Sequence, residues 1–362
     1  MNPQIVETVN VAREVAWLPW AVQYFFLIGI SYGAFLLSLP GLVWRKPQWK
    51  SISHLALAVA LICGLSAPVA LLADLHQPGR FLNFYLHFNP SSWMAWGAWF
   101  IPIYVGGLLL YSWLAWRPML AQHGRDGGRY ARLAGLLAYG GHESPSALKM
   151  AALITAVGAV LVALYTGAEV MVVAARPLWN TPWLPVQFVV TALAGALGMV
   201  LLFNRMLSSP DRRTVRTVSR LLAWTQLLAL FVGASWLLLG LSGWSEVHSM
   251  ALAQVAPADN WRLLAVWAVL ATVVTFLLAW KRPGSGLLIG LLALHSTWMM
   301  RWSIFMGGQE VPKTGAGYYS YQLPMGPEGL LGIIGTLGLW IFLFIALTSL
   351  LPLNRLAGSE SH

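Results

Sequence analysis

Asp74, Glu169 and Arg301 stand within or at the edges of long apolar runs, where ionisable side chains are costly and usually face a cavity or a partner. Groups that can hold or move a proton lie near them in the chain. His76 follows Asp74 by two residues, Tyr165 precedes Glu169 by four, and Gln23 and Tyr24 sit in "WLPWAVQYFF". A spacing of four sets Tyr165 and Glu169 on one helix face. A phenol that donates, a carboxylate that accepts and an imidazole that relays are the groups needed to strip protons from a bound hydroxyl compound. A carboxylate–arginine network kept for packing uses the same residue types. The elements that carry these side chains have to distinguish the two.

Those elements read as membrane spans. Of 362 residues, 58% are hydrophobic and 9% charged, and the mean hydropathy is +0.67. A soluble domain is about one-quarter charged, so a soluble enzyme is excluded. The formal charge of +10 does not indicate nucleic acid, because the cations collect in short connections between apolar runs, as a topology signal does. A span needs about 20 apolar residues. Nine runs qualify, near 17–44, 52–74, 93–116, 148–175, 182–204, 219–241, 262–280, 286–306 and 329–351. The expected fold is an all-α integral membrane protein of about nine transmembrane helices. Alternate connections hold 16 of the 22 Lys and Arg residues, which predicts an N-out, C-in orientation.

That orientation assigns depths. Asp74, Glu169 and Arg301 all fall in the outer half with Tyr165, Tyr24 and Gln23 beside them, and the inner half receives almost nothing ionisable. Arg301 is expected to keep the carboxylates charged, since a nearby cation favours the ionised form. Arg80 and Arg176 stand at outer exits. The inner loops 117–147 and 205–218 read as solvated connections. Gly29 and Gly33, and the series Gly329, Gly332, Gly335 and Gly338, would allow close helix contact.

The single cysteine, Cys63, excludes a Cys-ligated iron–sulfur site and c-type haem attachment. His54 and His295 are the histidines inside apolar runs. They lie at different depths and make a poor bis-His pair, so neither haem nor metal is expected in this chain. His295 reads as a satisfied core histidine or a proton-path group. The outer cluster suits an amphipathic ligand with a hydrogen-bonding head, and a quinone fits that description. A passive anchor for a peripheral enzyme and an ion or solute transporter remain open, although no inverted repeat of the transporter kind is evident.

"YTGAEVMVVAARPLWN" (165–180), "DLHQPGRF" with "NPSSWMAWGAW" (74–99), and "WLPWAVQYFFLIGI" (17–30) resemble the membrane subunit of the polysulfide reductase family. These are haem-free, quinone-reactive anchors of molybdopterin oxidoreductases. The late "MRW…VPK…LP-G…GT-GLW" pattern (300–340) makes the resemblance nearest to the tetrathionate-reducing branch, and most of the chain is covered. The resemblance implies a first bundle over 1–176 with an outer quinol site, then a second bundle and a C-terminal helix over 177–362. It implies a ferredoxin-like iron–sulfur partner and a molybdopterin catalytic subunit on the periplasmic side of a bacterial inner membrane. The substrate would be menaquinol or ubiquinol. Tetrathionate would be the terminal acceptor, with polysulfide, thiosulfate or arsenate as alternatives.

In that frame Tyr165 matches the tyrosine that donates to a quinone oxygen. Asp74 or Glu169 would accept a proton, and His76 would relay it outward, while Arg80, Arg176 and the 307–328 loop would face the partner. The family's helix-1 asparagine and histidine fall on Ala21 and Tyr24 here, so Gln23 or Tyr24 would take their place.

Overall fold

Every backbone N–H and C=O inside a bilayer has to be satisfied internally, so apolar runs of this length fold as helices. The computed structural model describes residues 15–127, 129–207, 211–311, 318–319, 321–351 and 353, and among them it is helical without strands. The helices are α1 (Pro19–Leu42), α2 (Lys50–Asp74), α3 (Asn83–Leu86), α4 (Trp93–Asp126), α5 (Ala131–Leu137) and α6 (Pro145–Met171). They continue as α7 (Trp183–Leu207), α8 (Arg212–Ser242), α9 (Glu246–Val255), α10 (Asp259–Lys281), α11 (Gly286–Trp302) and α12 (Leu330–Leu350). Pro19 and Pro145 open α1 and α6, where a missing N–H has no intrahelical role. Asp211 caps α8 by accepting from the Arg213 and Thr214 amides. Gly243, at φ 73°, ends that helix in the left-handed region.

Among the described residues, eight helices are long and apolar enough to span a membrane. The ninth expected run, 286–306, departs from regular α geometry. α11 stops at Trp302, a π-helical turn follows over Ser303–Gly307, and Gly308–Glu310 returns to α geometry. The run thus remains helical to Glu310. A π turn displaces carbonyls from their usual partners, and outside donors meet them here. Trp179 Nε1 donates to the Ile304 carbonyl at 2.8 Å, and Arg176 donates to those of Gly308 and Val311 at 2.9 and 3.0 Å.

α1 and α2 lie antiparallel, joined at one end by Leu18 and Asp74 and at the other by Gly41 and Ser53. α4 and α6 form a second antiparallel pair, with Gly158 against the Tyr104 backbone. α7, α8, α10 and α11 pack in sequence around one another, and α12 lies on α1 and α2. The two groups meet where Gly29 and Gly33 of α1 seat Ala192 and Ala196 of α7, a close approach that only small residues permit. Of the late glycines, Gly332 lies against Trp20, while Gly335 and Gly338 face open space and do not serve helix contact. Polar links inside the first group are few. The Ser31 hydroxyl donates to the Ala60 carbonyl and meets the Tyr104 hydroxyl, both at 2.7 Å. Leu, Val and Ile side chains of α6, α8, α10 and α12 point outward, a continuous apolar surface of the kind that lipid covers.

Two further expectations need correction. The segment 117–147 is largely helical, not an open loop: α4 runs on to Asp126 and α5 comes after it. Arg117 there is buried, stacks on Trp113 and donates to the His142 carbonyl at 2.6 Å. His295 is exposed on the apolar surface instead of lying in the core, and accepts a hydrogen bond from Trp267 Nε1 at 2.8 Å. His54, by contrast, is buried with Trp116 Nε1 donating to it at 3.2 Å. That contact satisfies it as a core residue.

Candidate functional site

The start of α1, the end of α2, the start of α4 and the end of α6 come together at one end of the first group. Asp74 closes α2 there. Its Oδ1 accepts from the Leu18 N–H at 3.0 Å, and the Ala21 N–H also faces it. Leu18 is the N-cap of α1, and its amide has no intrahelical acceptor, whereas the Ala21 amide also donates to the Leu18 carbonyl at 2.9 Å; the helix dipole favours negative charge at this end. The carboxylate is half-buried, with exposed His76 next to it on the solvent side.

Glu169 lies on the opposite, inward side of Asp74 and is buried. One turn back on α6, the Tyr165 side chain faces both Glu169 and Tyr24 of α1. The Tyr24 hydroxyl is fully buried and makes no hydrogen bond of normal geometry, although Tyr165 adjoins it. Five of the expected residues therefore form one row: Tyr24, Tyr165, Glu169, Asp74 and His76, running from the interior to the surface. Gly97 of the "WMAWGAW" segment makes room for it, because a Cβ at that position would lie 2.3–2.8 Å from atoms of the Tyr165 ring.

The remaining expected residues lie outside the row. Gln23 is buried, and its Nε2 donates to the Pro19 carbonyl at 3.3 Å while its Oε1 has no partner. Arg301 is almost completely buried between α1, α7 and α11. It donates to Thr191 Oγ1 at 2.6 Å and to the Phe188 carbonyl at 2.8 Å, with its guanidinium 4.4 Å from the Phe188 ring centre. No carboxylate pairs with it among the described residues. The expected role of Arg301 as counter-ion to Asp74 and Glu169 is thereby corrected: it joins the two helix groups through neutral acceptors.

Arg80 is exposed on the short turn after α2. Arg176 is only half-exposed, since its guanidinium holds the carbonyls beyond the π turn and stacks on Trp179. Burial there lowers its pKa from the ordinary arginine value. Arg176 is thus occupied within the chain and is not a free partner-facing cation.

Gln309 contributes in a way that sequence reasoning missed. Its Oε1 accepts from the Ala16 and Trp17 amides, both at 3.0 Å, and its Nε2 donates to the Trp17 and Phe305 carbonyls at 2.8 and 3.0 Å. Trp17 in turn stacks on Phe25 and Phe305. The end of α11 thereby fixes the segment whose next amide, Leu18, holds Asp74. A glutamine behind "MGG" at the end of an apolar run was the available signal, but its partners lie almost 300 residues away in the chain and no local pattern names them.

Comparison with known proteins identifies the family. The family model "Polysulphide reductase, NrfD" matches residues 7–313. The chain is 36% identical to a tetrathionate reductase subunit of Salmonella typhimurium over 99% of its length and 98% of that protein's. It is 26% identical to a selenate reductase subunit of Mesobacillus selenatarsenatis, covering 77% of this chain and 70% of the relative. Against the "Hdr-like menaquinol oxidoreductase integral membrane subunit" of Archaeoglobus fulgidus it is 25% identical, with 51% and 41% covered. An apolar multi-helix architecture and a match of this extent together show that the chain belongs to the NrfD/polysulphide reductase family of multi-pass membrane subunits.

Proposed function

We propose that this chain is the quinol-oxidising membrane subunit of a respiratory molybdopterin oxidoreductase. It takes electrons from menaquinol or ubiquinol and passes them to a ferredoxin-like iron–sulfur subunit, for reduction of a sulfur oxyanion such as tetrathionate. The observation that supports this reading is the row Tyr24–Tyr165–Glu169–Asp74–His76, which runs from a buried phenol pair to an exposed imidazole. Family membership and the similarity to a tetrathionate reductase subunit and a menaquinol oxidoreductase subunit support it as well.

The chemistry suits the row. Oxidation of a quinol releases two electrons and two protons. Tyr165 donates a hydrogen bond to one ring oxygen and so orients the head, with Tyr24 beside it. Asp74 and Glu169 supply two carboxylates for the two protons, and His76 hands them to water. The electrons leave across the same face to the partner's nearest cluster, which Arg80 helps to dock. In this reading the site belongs to the first half of the chain, 1–176, and 177–362 forms the second bundle with its closing helix. The membrane is the bacterial inner membrane, with the partners on its periplasmic side.

The test is binding and oxidation of a menaquinol analogue by the intact complex, wild type beside Tyr165→Phe. Loss of one hydrogen bond of about 1.4 kcal/mol corresponds to roughly tenfold weaker binding. Equal binding by the two proteins would remove Tyr165 from the site. Absence of quinol binding in a correctly assembled wild-type complex would leave the anchor reading in its place.

A further inference from the structure

The end of the molecule opposite the row carries a helix face that nothing in the chain covers. α4 opens at Trp93, and about 20 residues at about 1.5 Å each cross a hydrocarbon core of about 30 Å, so α4 leaves the core near Trp113. Trp113 Nε1 donates to the Leu137 carbonyl at 2.7 Å, and one turn on, Arg117 donates to the His142 carbonyl at 2.6 Å. Gly124 lets α4 and α5 approach closely, since a Cβ there would lie 3.0 Å from the Gly135 backbone. α6 then begins at Pro145 and returns into the core. α5 is thus tied at boundary depth between two crossings, and the leaflet lies beside it whether or not a partner is present.

α5 turns its small residues inward and its large ones outward. Ala134 and the following Ala138 are buried, whereas Leu133, Leu136 and Leu137 are exposed, at spacings of three and four that share one face. Leu136 is 72% exposed, an apolar side chain that water accommodates poorly. Tyr130 and Tyr139, both exposed, flank the helix, as aromatic residues do at a membrane interface. Arg132 stands one turn before Leu136 at the edge of the leucine face, and the Arg129 guanidinium lies over the Tyr130 ring. With Arg125 and Lys149 they are the Lys and Arg residues of 118–149, and all are exposed. The carboxylates of that stretch are Asp126 and Glu143, and Glu143 pairs with Arg45 at 3.6 Å. A leucine face edged by arginines is the pattern of a helix that rests in the interface of an anionic membrane. A soluble partner would first have to displace the leaflet that the two crossings already hold against α5, and a neutral lipid surface would give the arginines no anion.

We propose that α5 docks on the leaflet opposite the row, with Leu133, Leu136 and Leu137 among the acyl chains and Arg125, Arg129 and Arg132 holding the phosphates of anionic phospholipids. Long arginine side chains reach from an apolar contact to a charged headgroup, and each basic residue beside an anionic surface favours association about fivefold. The inference rests on α4, α5 and the charge of their connection, and it is independent of the quinol reading. α5 gives the α4–α6 pair, which brings Gly97 and Tyr165 together at its other end, a lipid attachment at this one.

The experiment uses the full-length chain in nanodiscs of phosphatidylcholine and phosphatidylglycerol. Cys63 is buried, so Leu136→Cys offers one reactive thiol for a nitroxide. That label should collide with dissolved oxygen several-fold more than with a water-soluble nickel chelate, as positions among acyl chains do. A label open to the chelate would overturn the proposal and leave the leucine face to water or to a soluble protein. Headgroup choice is read on the unlabelled wild type, by mass-spectrometric mapping of adducts from photoreactive phosphatidylglycerol and photoreactive phosphatidylcholine supplied in equal amounts. Peptides containing α5 should carry about fivefold more of the anionic adduct, and Arg129→Gln with Arg132→Gln should bring the two lipids to parity. Equal labelling by the two lipids in wild type would overturn the assignment of an anionic partner. Absence of any lipid adduct on α5 would overturn the docking itself, with no substitution involved.

Discussion

At the residue scale, the arrangement around Asp74 separates holding a proton from passing it on. Two amides at the start of α1 face the carboxylate, and His76 stands beside it in solvent. Asp74→Asn keeps the shape and the acceptor for Leu18 but cannot take a proton. General-base groups contribute about 10²- to 10⁴-fold, so quinol turnover should fall by roughly a hundredfold or more while analogue binding changes little. Turnover kinetics with a decylated quinol in the assembled complex decide the matter, and an unchanged rate removes Asp74 from the proton route. Much of this site was legible in the sequence. Tyr165 and Glu169 share a helix face by spacing, and depth along the spans brought Asp74 and Tyr24 to the same level. Arg301 was misjudged because depth alone does not give azimuth: it lies at the right height and points into the α1–α7 seam. Gly97 was invisible as a site residue, since its contribution is the side chain it lacks.

At the element scale, the extension of α11 acts as a clamp on the start of α1. Arg176 and Trp179 hold the π turn and the short helical stretch after it, and Gln309 holds residues 16 and 17 with its side-chain amide. Gln309→Leu would leave the Ala16 and Trp17 amides without their acceptor; the exposed Ala16 amide can turn to water, while the half-buried Trp17 amide costs up to about 1–3 kcal/mol if left unsatisfied. Thermal unfolding of the reconstituted complex should shift downward, and turnover should drop because Leu18 no longer presents its amide squarely to Asp74. A variant with wild-type melting and wild-type turnover would show that the clamp is idle. The π turn itself could not be read from sequence. The run "STWMMRWSIFMGG" is largely apolar around one arginine, and nothing in its periodicity distinguishes α from π winding. The donors that stabilise the turn come from the segment after α6, far away in the chain.

At the scale of the whole molecule, the cation bias of the connections predicts which end faces out. Cys63 is the only cysteine and is buried, so an introduced thiol can be read without background. Gln77→Cys, in the turn beyond Asp74, should react with an impermeant maleimide in intact cells. Gly284→Cys, between α10 and α11, should react only after the membrane is opened. The reverse pattern would invert the topology and put the polar row on the inner face. Eight of the nine expected spans, and their order, were accessible from hydropathy among the described residues, because lipid imposes a length on every crossing. The grouping of helices was not, since an all-round apolar helix gives no periodic signal for the side that meets protein.

α10 carries the consequence of such a surface furthest. Of its 23 residues only Thr275 and Ala279 are buried, and most of the helix presents apolar side chains outward, where lipid would cover them. This helix is therefore held in place as much by the lateral pressure of the bilayer as by its neighbours. A thinner or more fluid membrane, which changes the preferred tilt of such a helix, would shift it without altering a single side chain. Detergent extraction would act on it in the same way, making α10 the first helix to splay when the lipids are stripped away.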